Sequence, residues 1–302
     1  MDHLKGIIPP LVTPFTASGE IDEKALRGEI KFMLDEGVHG ICVGGSTGEG
    51  YTLNQEDLVR LVEIASSEVG GQVPVVVGII ANSTHEAISK AKAVSKFKPA
   101  ALQLTPTYYI FKPTEDGILD YFKEITTAVN IPILIYNVIR WNILSADTLV
   151  RIMEEVPGVA GVKQSAGEIK LLADLLIRAP KDKLIITAQD ALLWPTFAIG
   201  AHGSIAAIPA ATPRSALALW QASQAGDHKT ARALHDKILP FWNSITGDNM
   251  PACAKFALSL QGCPSGHVRK PMHDATPKQR ARIEATLTDL LALTPSKIKK
   301  AA

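Results

Sequence analysis

Short apolar, β-branched runs recur along the chain at 6–11, 40–43, 73–78, 101–104, 133–136, 159–163, 184–187 and 203–206, separated by longer segments with helical spacing of apolar positions. Runs this short suit buried strands, and the segments between them carry helix start signals. Asn54-x-x-Asp57 and Ser83-x-x-Glu86 each place a capping side chain three residues ahead of an acid that complements a helix N-terminus. The pattern therefore reads strand, helix, strand, helix. Such alternation requires parallel pairing through crossover helices, and eight units over about 220 residues fit a closed (β/α)8 TIM barrel better than an open sheet. The open doubly wound sheet is the structural alternative.

Thr212-Pro213 supplies a cap and a first-turn proline for the last barrel helix, which is expected to run to Ala225. Beyond it the strand pattern stops. Segments 227–244, 251–261 and 276–293 read as helices, the last opened by Thr276-Pro277-Lys278-Gln279 with capping-box spacing. The organisation predicted is a barrel over 1–225 and a C-terminal helical region over 226–302, packed on the barrel because no flexible linker divides them.

Composition narrows the function. Apolar residues make up 46% and charged residues 20%, as in a globular protein with ample core. The net charge is +1 and the one basic cluster is Lys297, Lys299 and Lys300, so no nucleic-acid partner is expected. No apolar run approaches the ~18 residues of a membrane span, and Asp2, Pro9 and Pro10 stand where a secretory signal needs basic and then apolar residues. A cytoplasmic protein without a membrane partner follows. Cys42, Cys253 and Cys263 are odd in number and lack Cys-x-x-Cys spacing, and His85-Glu86 lacks the second histidine of a helical metal pair. Neither a disulfide framework nor a metal is expected, and no cofactor.

In a barrel, chemistry collects where strands end and the following loops begin. After the second run comes Gly44-Gly45-Ser46-Thr47-Gly48-Glu49-Gly50, which matches neither a P-loop nor a dinucleotide fingerprint. Its glycines permit a tight turn with free N–H groups, and Ser46 and Thr47 add hydroxyls, a set suited to a carboxylate. After the fourth run stands Thr105-Pro106-Thr107-Tyr108-Tyr109, and the fifth ends in Tyr136-Asn137. A strand-end tyrosine beside a cation can pass a proton in both directions. The eighth run, Gly203-Ser204-Ile205-Ala206-Ala207, is built of small residues that leave room for a ligand, and Arg140 is a second candidate anion anchor.

The sixth run ends Val159-Ala-Gly-Val-Lys163-Gln-Ser165. An amine attacks a carbonyl only after losing its proton, and desolvation or a nearby cation favours that loss. A strand-end lysine that simply meets solvent is the other reading of Lys163. Together with two strand-end tyrosine sites and a hydroxyl loop, the nucleophile is favoured.

In this order these residues resemble the dihydrodipicolinate synthase and N-acetylneuraminate lyase family of pyruvate-dependent class I aldolases. The resemblance runs from Gly6 to Ala225 and into the helical tail, and its most specific pieces are Gly45-Ser46-Thr47-Gly48-Glu49, Tyr108-Tyr109, Tyr136-Asn137 and Gly161-Val162-Lys163. It implies that Lys163 forms a Schiff base with pyruvate or another 2-keto acid. It implies further that Tyr136 shuttles the proton, that Ser46 links Tyr136 to a Tyr109 supplied by a neighbouring subunit, and that Thr47, Gly45 and adjacent N–H groups hold the carboxylate. Ile205 and Arg140 complete the expected substrate-binding set. Assembly as a homotetramer or homodimer is implied as well.

Three departures bear on substrate. The arginine that holds the second substrate's carboxylate in the synthases falls at Trp141, with Arg140 one residue early. Lys163-Gln164-Ser165 and Ser46 are closer to the sialic-acid lyases. The Tyr108-Tyr109 loop is one residue longer than in the synthases, which leaves either tyrosine eligible as the relay. The expected function is a Schiff-base lyase, dihydrodipicolinate synthase-like. The alternatives are a 2-keto-3-deoxy sugar acid aldolase or dehydratase, a sialic-acid-lyase-like enzyme, or, in another class, a catalytically silent keto-acid-binding protein.

Overall fold

In a computed structural model that describes residues 2–107, 109–165 and 168–294, each of the eight apolar runs overlaps a strand. Tyr108 and the lysines of the basic tail lie outside the described residues. The strands are β1 (Gly6–Ile7), β2 (Ile41–Val43), β3 (Val75–Ile79), β4 (Ala101–Leu104), β5 (Ile133–Asn137), β6 (Val159–Gln164), β7 (Leu184–Thr187) and β8 (Gly203–Ser204). All pair in parallel, in the order β1-β8-β7-β6-β5-β4-β3-β2.

The two ends of that order meet. Leu11 N donates to Cys42 O and Cys42 N donates to Pro9 O, each at 2.8 Å, forming a parallel bridge between Pro10 and Cys42. The sheet is thus a closed barrel, and the open doubly wound alternative falls away. The first strand is shorter than the 6–11 run because Pro9 and Pro10 have no N–H to give to a ladder.

Alternation along the strands separates two apolar layers. Ile8, Cys42, Val76, Leu134, Ala160, Leu184, Ile186 and Ile205 fill the barrel, while Val77, Leu102, Ile133, Ile135, Val162 and Ile185 face the surrounding helices. Strand β6 departs from strict alternation. Ile133 pairs with Val159 but Leu134 with Gly161, so Ala160 is an extra residue opposite β5. This bulge changes the phase of the strand. Ala160 faces inward before it, Val162 faces outward after it, and Lys163 therefore turns toward the inside. Gly161 is required there, since a Cβ would lie 2.0 Å from Leu184 O on the neighbouring strand.

Among the described residues the helices are α1 (Glu23–Glu36), α2 (Gln55–Val69), α3 (Thr84–Ser95), α4 (Glu115–Ala128), α5 (Ala146–Glu155), α6 (Ile169–Arg178), α7 (Leu193–Ala198), α8 (Ala207–Ala211), α9 (Pro213–Gln224), α10 (His228–Ile245), α11 (Met250–Ser259) and α12 (Pro277–Leu291). Asn54 and Thr276 form full capping boxes, and Ser83 accepts from Glu86 N. Thr212 precedes Pro213 as expected, but its hydroxyl meets that of Ser215 instead of a backbone N–H.

The last three helices form a layer on the barrel. Helix α10 packs on α12, α9 and the 190–192 turn, and α11 packs on α8. The stretch between α11 and α12 then returns to the N-terminal segment, where Phe15 and His267 exchange backbone hydrogen bonds of 3.1 and 2.8 Å. No helix among the described residues is long and apolar enough to cross a membrane.

Candidate active site

Ser46, Thr47, Tyr136, Lys163 and Ile205 line one cavity of about 370 Å³ at the C-terminal ends of the strands. Five residues taken from four separate strand ends therefore share one space.

Lys163 is only 3% exposed and Tyr136 6%. They are direct partners in the β5–β6 ladder, and Lys163 Nζ lies 3.6 Å from the centre of the Tyr136 ring. A cation in that position is held by the ring's electron-rich face. Beneath the pair lies the packed barrel interior, with Ile205 fully buried at its top. Cys42 is part of that filling. Burial pushes its thiol up to about 11, so it is a packing residue and not a competing nucleophile.

The glycine-rich loop is held from several sides. Gly50 N donates to Gly45 O at 3.0 Å, and a Cβ on Gly50 would lie 1.9 Å from Gly44 O, so the turn admits only glycine. Glu49 sits in the left-handed region at φ 54° and is fully buried. Its carboxylate accepts from Lys255 Nζ of α11 at 2.6 Å and from Arg269 N at 2.9 Å. Lys255 also donates to His267 O, and the Arg269 guanidinium bonds Asp57, Thr52 O and Gly19 O. A bulky residue at positive φ is costly and persists only where its surroundings dictate it. Here the C-terminal helices dictate the shape of the loop that carries Ser46 and Thr47.

Asn137 positions the loop after β5. It donates to Leu144 O at 3.1 Å and accepts from Leu144 N at 2.9 Å, while Asn142 donates to Thr107 O at 3.0 Å. These bonds tie the turn between Asn137 and Leu144 to β5 and to the loop after β4. Arg140 is exposed and Trp141 is 60% exposed, and neither lines the cavity. Tyr109 is 69% exposed on the facing loop, where its backbone N–H bonds the Asn82 side chain, and it too lies outside the cavity of its own chain. Gly45 shapes the loop without lining the cavity.

Among the lining residues absent from the set drawn from sequence are Asp190, Trp242 and Met250. Asp190 follows β7 in the 190–192 turn and is buried; its Oδ1 accepts from Ile208 N at 2.6 Å, and Ala207 N also bonds the carboxyl. Burial raises its pKa to about 6, against the opposing pull of those N–H groups and of the Lys163 charge. Strand-end position, the signal that selects Lys163 and Tyr136, applies equally to Asp190. Trp242 on α10 and Met250 at the start of α11 come from outside the barrel, and nothing in their local sequence marks them.

Cys42, Cys253 and Cys263 are buried and free. Among the described residues no group of three His, Cys, Asp or Glu side chains is placed to hold a metal ion.

Comparison with known proteins gives a consistent picture. The model of the dihydrodipicolinate synthetase family matches residues 3–290. The 4-hydroxy-tetrahydrodipicolinate synthase of Dechloromonas aromatica is 34% identical over 286 residues, covering 94% of this chain and 97% of that protein. Among solved structures, a putative dihydrodipicolinate synthetase from Pseudomonas aeruginosa superposes with a TM-score of 0.90 at 28% identity, covering 95% of this chain and 99% of that one. CdNal from Clostridium difficile, solved in complex with mannosamine, superposes with a TM-score of 0.88 at 26% identity, covering 95% and 99%.

Proposed function

The chain belongs to the dihydrodipicolinate synthetase family, and from that premise we propose that it is a Schiff-base lyase in which Lys163 is the nucleophile, acting on pyruvate or another 2-keto acid. The observation that carries this reading is the burial of Lys163 in a 370 Å³ cavity, with its Nζ 3.6 Å from the Tyr136 ring centre.

In the proposed reaction the neutral Lys163 amine attacks the keto carbon, the carbonyl oxygen leaves as water after taking up protons, and an iminium forms. That cation withdraws electrons from the adjacent carbon, which then loses a proton and adds to an aldehyde, or, in reverse, is released from a longer keto acid. The Tyr136 hydroxyl is the proton carrier of these steps, and the Ser46 and Thr47 hydroxyls receive the keto acid's carboxylate.

Tyr109 enters this scheme as a residue given to a second subunit. Tyr109, Ile110 and Phe111 are 69%, 60% and 82% exposed, and Trp141 is 60% exposed. Contiguous apolar surface of this kind supports an interface. A dimer joined there, paired into a tetramer, brings Tyr109 to its partner's Ser46. The synthase-like reaction with pyruvate and an aldehyde is the reading preferred.

Incubation with pyruvate followed by borohydride tests the chemistry. A reduced pyruvyl group should be found by mass spectrometry on Lys163 and be missing from Lys163→Ala. An unmodified, folded protein would leave the catalytically silent keto-acid binder as the better description.

A further inference from the structure

Strand β4 carries a glutamine into the barrel. Gln103 pairs with Leu134 of β5, which belongs to the barrel filling, so its side chain faces the inside, where it is 1% exposed. That interior includes apolar Ile8, Val76 and Leu134, and a polar side chain there is costly unless its atoms are bonded.

The amide is held at one end. Cys42 Sγ donates to Gln103 Oε1 at 3.7 Å, and burial pushes that thiol up to about 11, so it keeps the proton it donates. The Nε2 end is thereby turned toward the glycine-rich loop, where it lies 3.4 Å from the place a Cβ would take on Gly45. On its other side Gln103 pairs with Gly78, and a Cβ on Gly78 would come 2.4 Å from Gly44 O. The loop thus sinks into the barrel mouth beside Gln103, and the next residues along it, Ser46 and Thr47, line the cavity. Among the described residues Nε2 has no hydrogen-bond partner. An unpaired buried donor costs stability, so a donor kept beneath a binding loop calls for a reason outside folding.

The charge of a keto acid supplies that reason. Among the described residues lining the cavity Lys163 is the one cation, and imine formation commits it to the keto carbon. The neighbouring carboxylate then depends on hydroxyls and oriented N–H dipoles, which act strongly where water is excluded.

We propose that Gln103 is a positioning residue for keto-acid recognition: it seats Gly45 from below and turns the positive end of its amide dipole toward the carboxylate received by Ser46 and Thr47. The proposal rests on the Schiff-base reading of Lys163 and adds the element by which the site tells a 2-keto acid from an uncharged ketone.

Competitive trapping tests it. The full chain is incubated with pyruvate and methyl pyruvate, which present the same keto group and differ in the charge beside it, then reduced with borohydride. Mass spectrometry reads the ratio of the two Lys163 adducts. Gln103→Leu and Gln103→Met, which keep the bulk and remove the amide, should each lower the ratio of pyruvate to ester adduct at least about fivefold. Their urea midpoints should equal or exceed the parent's, because the unpaired donor is gone. A ratio unmoved in the folded variants, whether or not total trapping falls, overturns the proposal and makes Gln103 barrel filling. Midpoints lowered in both variants overturn the claim that the amide is kept for recognition. Failure of the parent to trap pyruvate overturns the Schiff-base reading and this proposal with it.

Discussion

Lys163 and Tyr136 face each other across the β5–β6 ladder with the Lys163 Nζ 3.6 Å from the ring centre, a contact made possible by the Ala160 bulge that turns Lys163 inward. The ring has two separable parts in this arrangement. Its face meets the Lys163 Nζ, and in the proposed reaction its hydroxyl moves a proton. Tyr136→Phe keeps the first and removes the second, so borohydride trapping of pyruvate on Lys163 should persist while steady-state turnover falls by about 10²–10⁴-fold. Undiminished turnover would take the proton-carrying role away from Tyr136.

Asp190 makes the protein's stability depend on pH in a stated direction. Its native pKa, raised from 3.8 to about 6, means that the folded chain holds this proton more tightly than the unfolded chain. The group's contribution is fully present below pH 3.8 and is lost as pH rises through about 6, a change of about 3 kcal/mol. Asp190→Asn cannot titrate. Urea unfolding of parent and variant at pH 4 and pH 8 should show the variant gaining stability relative to the parent by about that amount, and a constant difference would contradict the buried carboxyl.

Lys255 and Glu49 form a buried pair between α11 and the glycine-rich loop. Removing one partner strands the other, so Lys255→Met should cost about 3–5 kcal/mol in denaturant unfolding. Lys255→Met combined with Glu49→Gln should recover part of the loss, since no charge is then left unpaired. The single variant should also weaken pyruvate trapping, because Glu49 holds the loop that presents Ser46 and Thr47. Additive losses in the double variant would mean the two side chains are not coupled.

Exposure of Tyr109 on its own chain leads to a subunit-mixing experiment. Tyr109→Phe and Lys163→Ala proteins should each be inactive, and mixed oligomers should regain activity because some sites combine an intact Lys163 with the other subunit's intact Tyr109. Mixed oligomers shown by mass spectrometry to form, yet without activity, would confine Tyr109 to its own subunit.

The barrel was legible in the sequence because strand signals are local. Each apolar run is self-contained, and Asn54 and Thr276 form the capping boxes that their spacing predicts. The place of Lys163 was legible for a related reason, since a lysine closing an apolar strand is visible without its neighbours. The place of Trp242 at the cavity was not. Trp242 lies in an amphipathic helix where an aromatic residue reads as ordinary core, and its place at the cavity follows from how α10 packs on the 190–192 turn. Arg140 shows the opposite limit. Its nearness to Tyr136 in sequence suggests a role in the pocket, but Arg140 is exposed and does not line the cavity of its own chain.

Trp242 and Lys255 both follow the last strand in the chain. During synthesis, Lys163 and all eight strands leave the ribosome before Trp242 and Met250 and before the cation that pairs with Glu49. A polypeptide released after α9 would therefore carry Lys163 at its strand end without Trp242 and Met250 at the cavity and without the partner of Glu49.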